Sequence, residues 1–256
     1  MIDIHTHILF NVDDGAKNVE DSIKLLNEAK EVGFEIIICT SHYIEGFYDV
    51  KCNEREKKII ELNKKKESDV EIDIGNEIFF SNNIISLINE NKAATLNNSR
   101  YVLFELPFNV EPLYLMDSIF KIQSNNLIPI LAHPERYTYF YKNLEMYKKI
   151  ADKGVLFQLN FGSFIGQYGK KAKIIAEKLL KSNFAYFLAS DVHRPNTIYK
   201  NIPIVLDKLN RLVGKEKVNQ LTNINPGLVI ENKEIKIEKY LPIKLNIIEK
   251  KLLKLC

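Results

Sequence analysis

The sequence predicts a single α/β domain built on a parallel sheet, and two observations carry that expectation. Short, nearly all-apolar β-rich runs alternate with longer segments of helical periodicity in an unbroken βαβα order. The residues able to do chemistry fall where those runs end, which in parallel α/β folds is the functional face. Seven strand–helix units suggest a barrel closed by seven strands, with an open doubly wound sheet as the alternative.

The strand-like runs are 2–5 (IDIH), 34–40 (FEIIICT), 70–75 (VEIDIG), 101–106 (YVLFEL), 127–133 (LIPILAH), 155–160 (VLFQLN) and 185–190 (AYFLAS). Most are apolar on both sides, as strands buried on both faces of a sheet must be. In the first helical segment Val19, Ile23, Leu26, Ala29 and Val32 recur at three- to four-residue spacing, and Gly33 follows as a stop. Similar patterns run near 54–67, 82–91, 113–126, 143–153 and 170–182, and 201–224 reads as one or two further helices. After Asn225-Pro226 comes a tail rich in Lys and Ile. No linker or repeat interrupts the chain.

Composition narrows the function classes. Of 256 residues, 46% are hydrophobic and 27% charged, which is enough apolar material for a core. A net charge of +3 is too small to argue for nucleic acid or a membrane surface. No stretch approaches the roughly 18 apolar residues of a membrane span, and MIDIHTHILF lacks a basic leader, so no stable membrane insertion is expected. The three cysteines, Cys39, Cys52 and Cys256, form no CxxC pair or disulfide framework, and a reducing cytoplasm is the natural setting.

The five histidines are His5, His7, His42, His133 and His193, and each sits at or just past the end of a strand-like run. Glu77, Glu105 and Asp191 follow the same rule, and Asp13 and Asp14 lie in the loop after the first strand. Glu105, set between Phe104 and Leu106, would be costly to bury without a cation. In an extended chain residues i and i+2 share a face, so His5 and His7 can reach one ion, and Asp191 and His193 repeat the arrangement. Taken singly, an H-x-H is weak, a strand-end acid is more often a cap or salt bridge, and His133 before Pro134 could be a turn residue. All five histidines on one face point instead to a metal centre. Histidine and carboxylate without cysteine suit Mn, Fe, Zn, Co or Mg rather than a thiolate zinc. So many donors suggest two or three ions with a bridging carboxylate, the apparatus of phosphoester hydrolysis.

The opening MIDIHTHILFNVDDGAKN, followed in order by TSHY, GNEIFF, LFELPF, AHPERY and ASDVH, resembles the motifs of the PHP (polymerase and histidinol phosphatase) superfamily. The VDDG loop, TLNNSRYVLFEL and AHPERY are most similar to the manganese-dependent bacterial protein-tyrosine phosphatases of capsule and exopolysaccharide synthesis. The resemblance implies a distorted (β/α)7 TIM-like barrel over residues 1–230, with 231–256 a C-terminal extension packed on the same domain. It implies a phosphoric monoester hydrolase with three Mn2+ ions. One would be held by His5, His7, Glu77 and Asp191, a second by Glu77, Glu105 and His133, and a third by Asp14, His42 and His193. It makes Arg136 the phosphate-binding arginine. A second family arginine lies several residues past the D-x-H motif; here Arg194 follows His193 directly and is its candidate counterpart. The implied reaction is phosphotyrosine hydrolysis by a metal-activated hydroxide, with a capsule-regulating tyrosine kinase as substrate. The alternatives are a PHP phosphoesterase on a small molecule of the histidinol-phosphate type or on nucleic acid ends, and a metal-stabilised binding module without turnover. Thiolate phosphatase chemistry needs an arginine six positions after the cysteine; Glu45 and Lys58 stand there after Cys39 and Cys52. In the tail, Ile243, Ile247, Ile248, Leu252 and Leu255 can lie on one side of a helix, expected to pack on the domain rather than on a membrane or partner.

Overall fold

Nine parallel strands run through residues 1–254 of the computed structural model, which are the residues described; Leu255 and Cys256 lie outside them. The strands are β1 (Ile2–Thr6), β2 (Ile36–Cys39), β3 (His42–Tyr43), β4 (Glu71–Ile74), β5 (Glu77–Phe79), β6 (Tyr101–Glu105), β7 (Ile128–Ala132), β8 (Leu156–Asn160) and β9 (Ala185–Ala189). Between them lie α1 (Val19–Glu31), α2 (Cys52–Lys65), α3 (Ile84–Asn89), α4 (Leu115–Ser124), α5 (Glu145–Ala151), α6 (Phe161–Ile165) and α7 (Gly169–Lys181). After them come α8 (Ile202–Val213), α9 (Lys215–Asn219), α10 (Asn225–Ile230) and α11 (Ile247–Leu253).

The expected seven strands are present, but two of them are broken. The run at 34–40 stops at Cys39 and resumes as β3, and the run at 70–75 stops at Ile74 and resumes as β5. Sheet order is therefore β1-β2-β4 in one piece and β3-β5-β6-β7-β8-β9 in the other. The break falls where β1 shifts register against β2, and where the Thr6 amide turns to Thr40 Oγ1 at 3.0 Å. His42 and Glu77, expected in loops beyond their strands, consequently lie in short strands paired directly with each other. The ring returns to its start through Asp191 N to His5 O and His7 N to Val192 O, both 2.9 Å. The result is a distorted (β/α) barrel.

Alternating side chains divide the core, as a pleated strand requires. Ile4, Ile38, Leu103, Ile130, Leu156 and Phe187 form one buried cluster. Val102, Phe104, Leu131 and Phe157 belong to the larger cluster that includes helix residues such as Leu25, Ile119 and Ile175. Val229 of α10 extends the first cluster, and Gly227 lies against Ile2 at the amino end of β1.

Three elements differ from expectation. Helix continues past Asn225-Pro226, because residues 220–224 wind as a π-helical turn that joins α9 to α10, and this local change of winding accommodates a residue without an amide donor. The five-residue α6 follows β8 directly and is too short to show periodicity in sequence. In the tail, Tyr240 stacks on Phe184 at 4.6 Å, the Leu241 amide donates to Ser182 O at 3.0 Å, and Leu253 is buried. Of the expected apolar stripe, Ile243 packs part-buried on the core and Leu255 lies outside the described residues, whereas Ile247 and Ile248 are 83% and 71% exposed. The helix docks instead by Leu253, with Lys178 pairing Glu249 at 2.8 Å.

Candidate metal centre

All nine donor residues expected from sequence meet at the carboxyl ends of the strands, and they form overlapping groups. His5, His7, Glu77 and Asp191 make one; His7, Asp14, His42 and His193 a second; His42, Glu77 and Glu105 a third. His133 reaches Glu77 at 2.7 Å but stands 3.9 Å from Glu105. His42 Nδ1 lies nearer that acid, at 3.2 Å, so His42 touches two groups where one was expected.

The first group is the most informative. His5 Nε2 is 3.3 Å from His7 Nε2, 3.1 Å from Glu77 Oε2 and 3.5 Å from Asp191 Oδ1. His7 Nε2 is 3.4 Å from each of those two oxygens. A regular tetrahedron with such edges has its centre roughly 2.1 Å from each corner, the length of a metal–imidazole bond. Outer partners determine which ring nitrogens carry protons. His7 Nδ1 donates to Asp13 Oδ2 and His5 Nδ1 donates to Gln158 Oε1, both at 2.8 Å. Both Nε2 atoms then present lone pairs to each other and to two carboxylate oxygens. Four converging acceptors in a buried interior repel unless a cation joins them. Glu77 Oε2 and His42 Nδ1 are likewise buried without a hydrogen-bond partner among the described residues. The site fits divalent metal ions.

Without an ion, protons balance these acids: against the cost of burial, Glu77 and Asp191 push the His5 imidazole up, Asp13 pushes His7 up, and Glu77 and Glu105 push His42 up to about 10, so a metal binds by displacing those protons. Burial opposes charge on Glu77, yet His5, His42 and His133 hold its carboxyl well below the usual range. Burial likewise opposes charge on Asp191, which His5, His7 and Arg136 hold low. Asp13, although buried, is held at about 2 by His7 and the Gly15 amide.

Local backbone makes this convergence possible. His133 and Asp191 both adopt positive φ, 34° and 51°, a strained conformation for residues with a Cβ and one concentrated at functional sites. Gly15 lets the VDDG loop close on His7, just past β1, since a Cβ there would lie 2.1 Å from His7 O. Arg136 Nη1 donates to Asp191 Oδ2 at 2.9 Å. The Arg194 guanidinium donates to Asp14 O, Gly15 O and His193 O.

Several members were not found by sequence reasoning. Gln158 and Asn160 form a buried relay, with Gln158 Nε2 donating to Asn160 Oδ1 and Asn160 Nδ2 to Asp191 Oδ2. Asp3 takes the His5 and Ser190 amides and the Tyr199 hydroxyl, joining β1 to the end of β9. The one available signal was polar residues alternating inside otherwise apolar strands.

A parallel barrel bearing a cluster of histidine and carboxylate donors at the carboxyl ends of its strands defines a metal-dependent hydrolase. The chain belongs to the capsular polysaccharide synthesis CpsB/CapC family, whose profile matches residues 1–231. It is 34% identical over 215 residues to a putative tyrosine-protein phosphatase CapC of Staphylococcus aureus, 82% of each chain. It is 31% identical over 247 residues to tyrosine-protein phosphatase YwqE of Bacillus subtilis, covering 95% of this chain and 97% of that one. A solved structure described as YwqE from Bacillus subtilis and CpsB from Streptococcus pneumoniae, unique metal-dependent tyrosine phosphatases, superposes with a TM-score of 0.90 at 31% identity, covering 96% of this chain and all of that one.

Proposed function

We propose that the chain is a metal-dependent protein-tyrosine phosphatase whose nine clustered donors hold three divalent ions, manganese by preference. The observation that carries this is the set of four lone-pair donors from His5, His7, Glu77 and Asp191 aimed at one point. Ions bound there activate water and offset charge on the phosphoryl oxygens.

The chain's own residues do the rest. His5, His7, Glu77 and Asp191 would hold one ion; Glu77, Glu105 and His133, with His42 within reach of the same two acids, would hold a second; and Asp14, His42 and His193 would hold a third. Arg136, part-exposed beside Asp191, offers its remaining guanidinium donors to the phosphoryl oxygens. Arg194 has Nη1 engaged by backbone carbonyls and keeps Nη2 and Nε for the same group. A tyrosine leaving group, with a phenol pKa near ~10, needs less protonation than an alkoxide. The preferred substrate is a bacterial tyrosine kinase of capsule assembly, met in the cytoplasm, a reading supported by the family and by the CapC and CpsB relatives. Among the described residues no helix is long and apolar enough to cross a membrane.

The deciding experiment is a metal-titrated assay on a phosphotyrosine peptide, with histidinol phosphate beside it. Metal-dependent turnover of the peptide well above histidinol phosphate is expected. The reverse preference would make the chain a small-molecule phosphatase, and metal binding without turnover of either would make it a binding module.

A further inference from the structure

Aromatic rings that the hydrolytic step itself does not require wall the mouth of the centre. The Arg136 guanidinium is sandwiched between them, its Cζ 4.5 Å from the Phe108 ring centre and 4.2 Å from that of Tyr168. Phe108 also lies nearly parallel to the His133 ring, at 5.6 Å and 27°. Its backbone carbonyl takes the Thr138 amide at 2.9 Å, which anchors the loop. Even so, Phe108 remains 37% exposed, although neighbouring Leu106 is fully buried. On the other flank Tyr48 stacks on His42 at 6.0 Å and 12°. His42 and His133 both meet Glu77, at 3.0 and 2.7 Å, so Tyr48 and Phe108 each stack on an imidazole that touches the same carboxylate. Solvent enters on this side: Asp14 is half-exposed and His193 partly so, whereas His5 and His7 are buried.

We infer that Phe108 is a specificity-determining residue, its exposed ring forming the wall against which the aryl group of a substrate phosphate packs. This rests on the phosphatase reading above. A phosphoryl group gripped by Arg136 projects its ester substituent toward the ring that already stacks on that guanidinium. An aryl substituent there gains an aromatic partner, whereas an alkyl chain does not.

The test is calorimetric titration of the manganese-loaded protein with phenylphosphonate and with methylphosphonate, neither of which is hydrolysed. Phe108→Leu is expected to weaken phenylphosphonate about tenfold and to leave methylphosphonate within about twofold. Phe108→Trp is expected to restore the phenyl preference. Equal weakening of both ligands would mean that Phe108 acts only through Arg136, and no change in either would mean that the ring does not meet the ligand; each result overturns the inference. Because the readout is binding, it holds even if wild-type protein fails to hydrolyse phosphotyrosine, a failure that would overturn the phosphatase reading instead.

Discussion

Asp13 and Gln158 decide what His5 and His7 can do, because each takes the Nδ1 proton and leaves Nε2 free to coordinate. Partners of this kind contribute tenfold to hundredfold in metal affinity or activity, roughly, when removed. Asp13→Asn and Gln158→Leu are each expected to weaken metal binding by about that factor, read by competition with a chromophoric chelator. Unchanged affinity in both would mean that the tautomers are set elsewhere. The cysteines are bystanders. Burial pushes the Cys39 thiol up to about 12, which leaves essentially no thiolate at neutral pH. Turnover by Cys39→Ser and Cys52→Ser proteins should match wild type, and a hundredfold loss in either would revive thiolate catalysis. Sequence position alone singled out the five histidines with Glu77, Glu105 and Asp191, since each is a polar residue at or just past the end of an apolar run. It gave no reason to prefer Asp13 as orienter and Asp14 as donor, because adjacent acids in one loop are equivalent until the loop is folded.

Loops and broken strands place those residues. Gly15 permits contact between the VDDG loop and His7. Gly15→Ala should force Asp13 and His7 apart and cost most of the metal-dependent activity; retention of more than half of it would show that the loop can yield. The tail binds through Tyr240, Leu241 and Leu253 rather than through Ile247 and Ile248. Deleting 241–256 should lower the melting temperature, measured by differential scanning calorimetry, while the metal stoichiometry of the folded remainder stays as in the full chain. An unchanged melting temperature would mean that the extension contributes nothing to the domain. Helical periodicity correctly located a helix in the tail and misjudged its buried side, because a seven-residue helix offers several apolar faces and the neighbouring surface chooses among them.

At the scale of the whole molecule, the donors come from β1, β3, β5 and β6 and from the segments following β1, β7 and β9, so the centre ties the two sheets together. Ions bound only by the folded state add RT ln(1 + [L]/Kd), about 2.7 kcal/mol per site at a hundredfold excess over Kd. Chelation should therefore abolish activity and lower the melting temperature by several degrees, and manganese should restore both. Loss of activity without any thermal shift would argue that the ions do not brace the barrel.

Unbroken strand–helix alternation, apolar strands and histidines confined to strand ends were enough to indicate an α/β domain on a parallel sheet and its functional face, and the resemblance of the motifs added the barrel and the particular acids expected beside the histidines. Those features are local, since strand periodicity and the polarity of strand ends are written in neighbouring residues. Tertiary structure alone decided that two strands break between Cys39 and His42 and between Ile74 and Glu77, that His42 serves two donor groups, and that Asp3, Gln158 and Asn160 support the site. It also decided that Phe108 and Tyr168 enclose Arg136. Each of these depends on which side chains from distant strands face one another, and that is set by register and barrel closure rather than by any single segment.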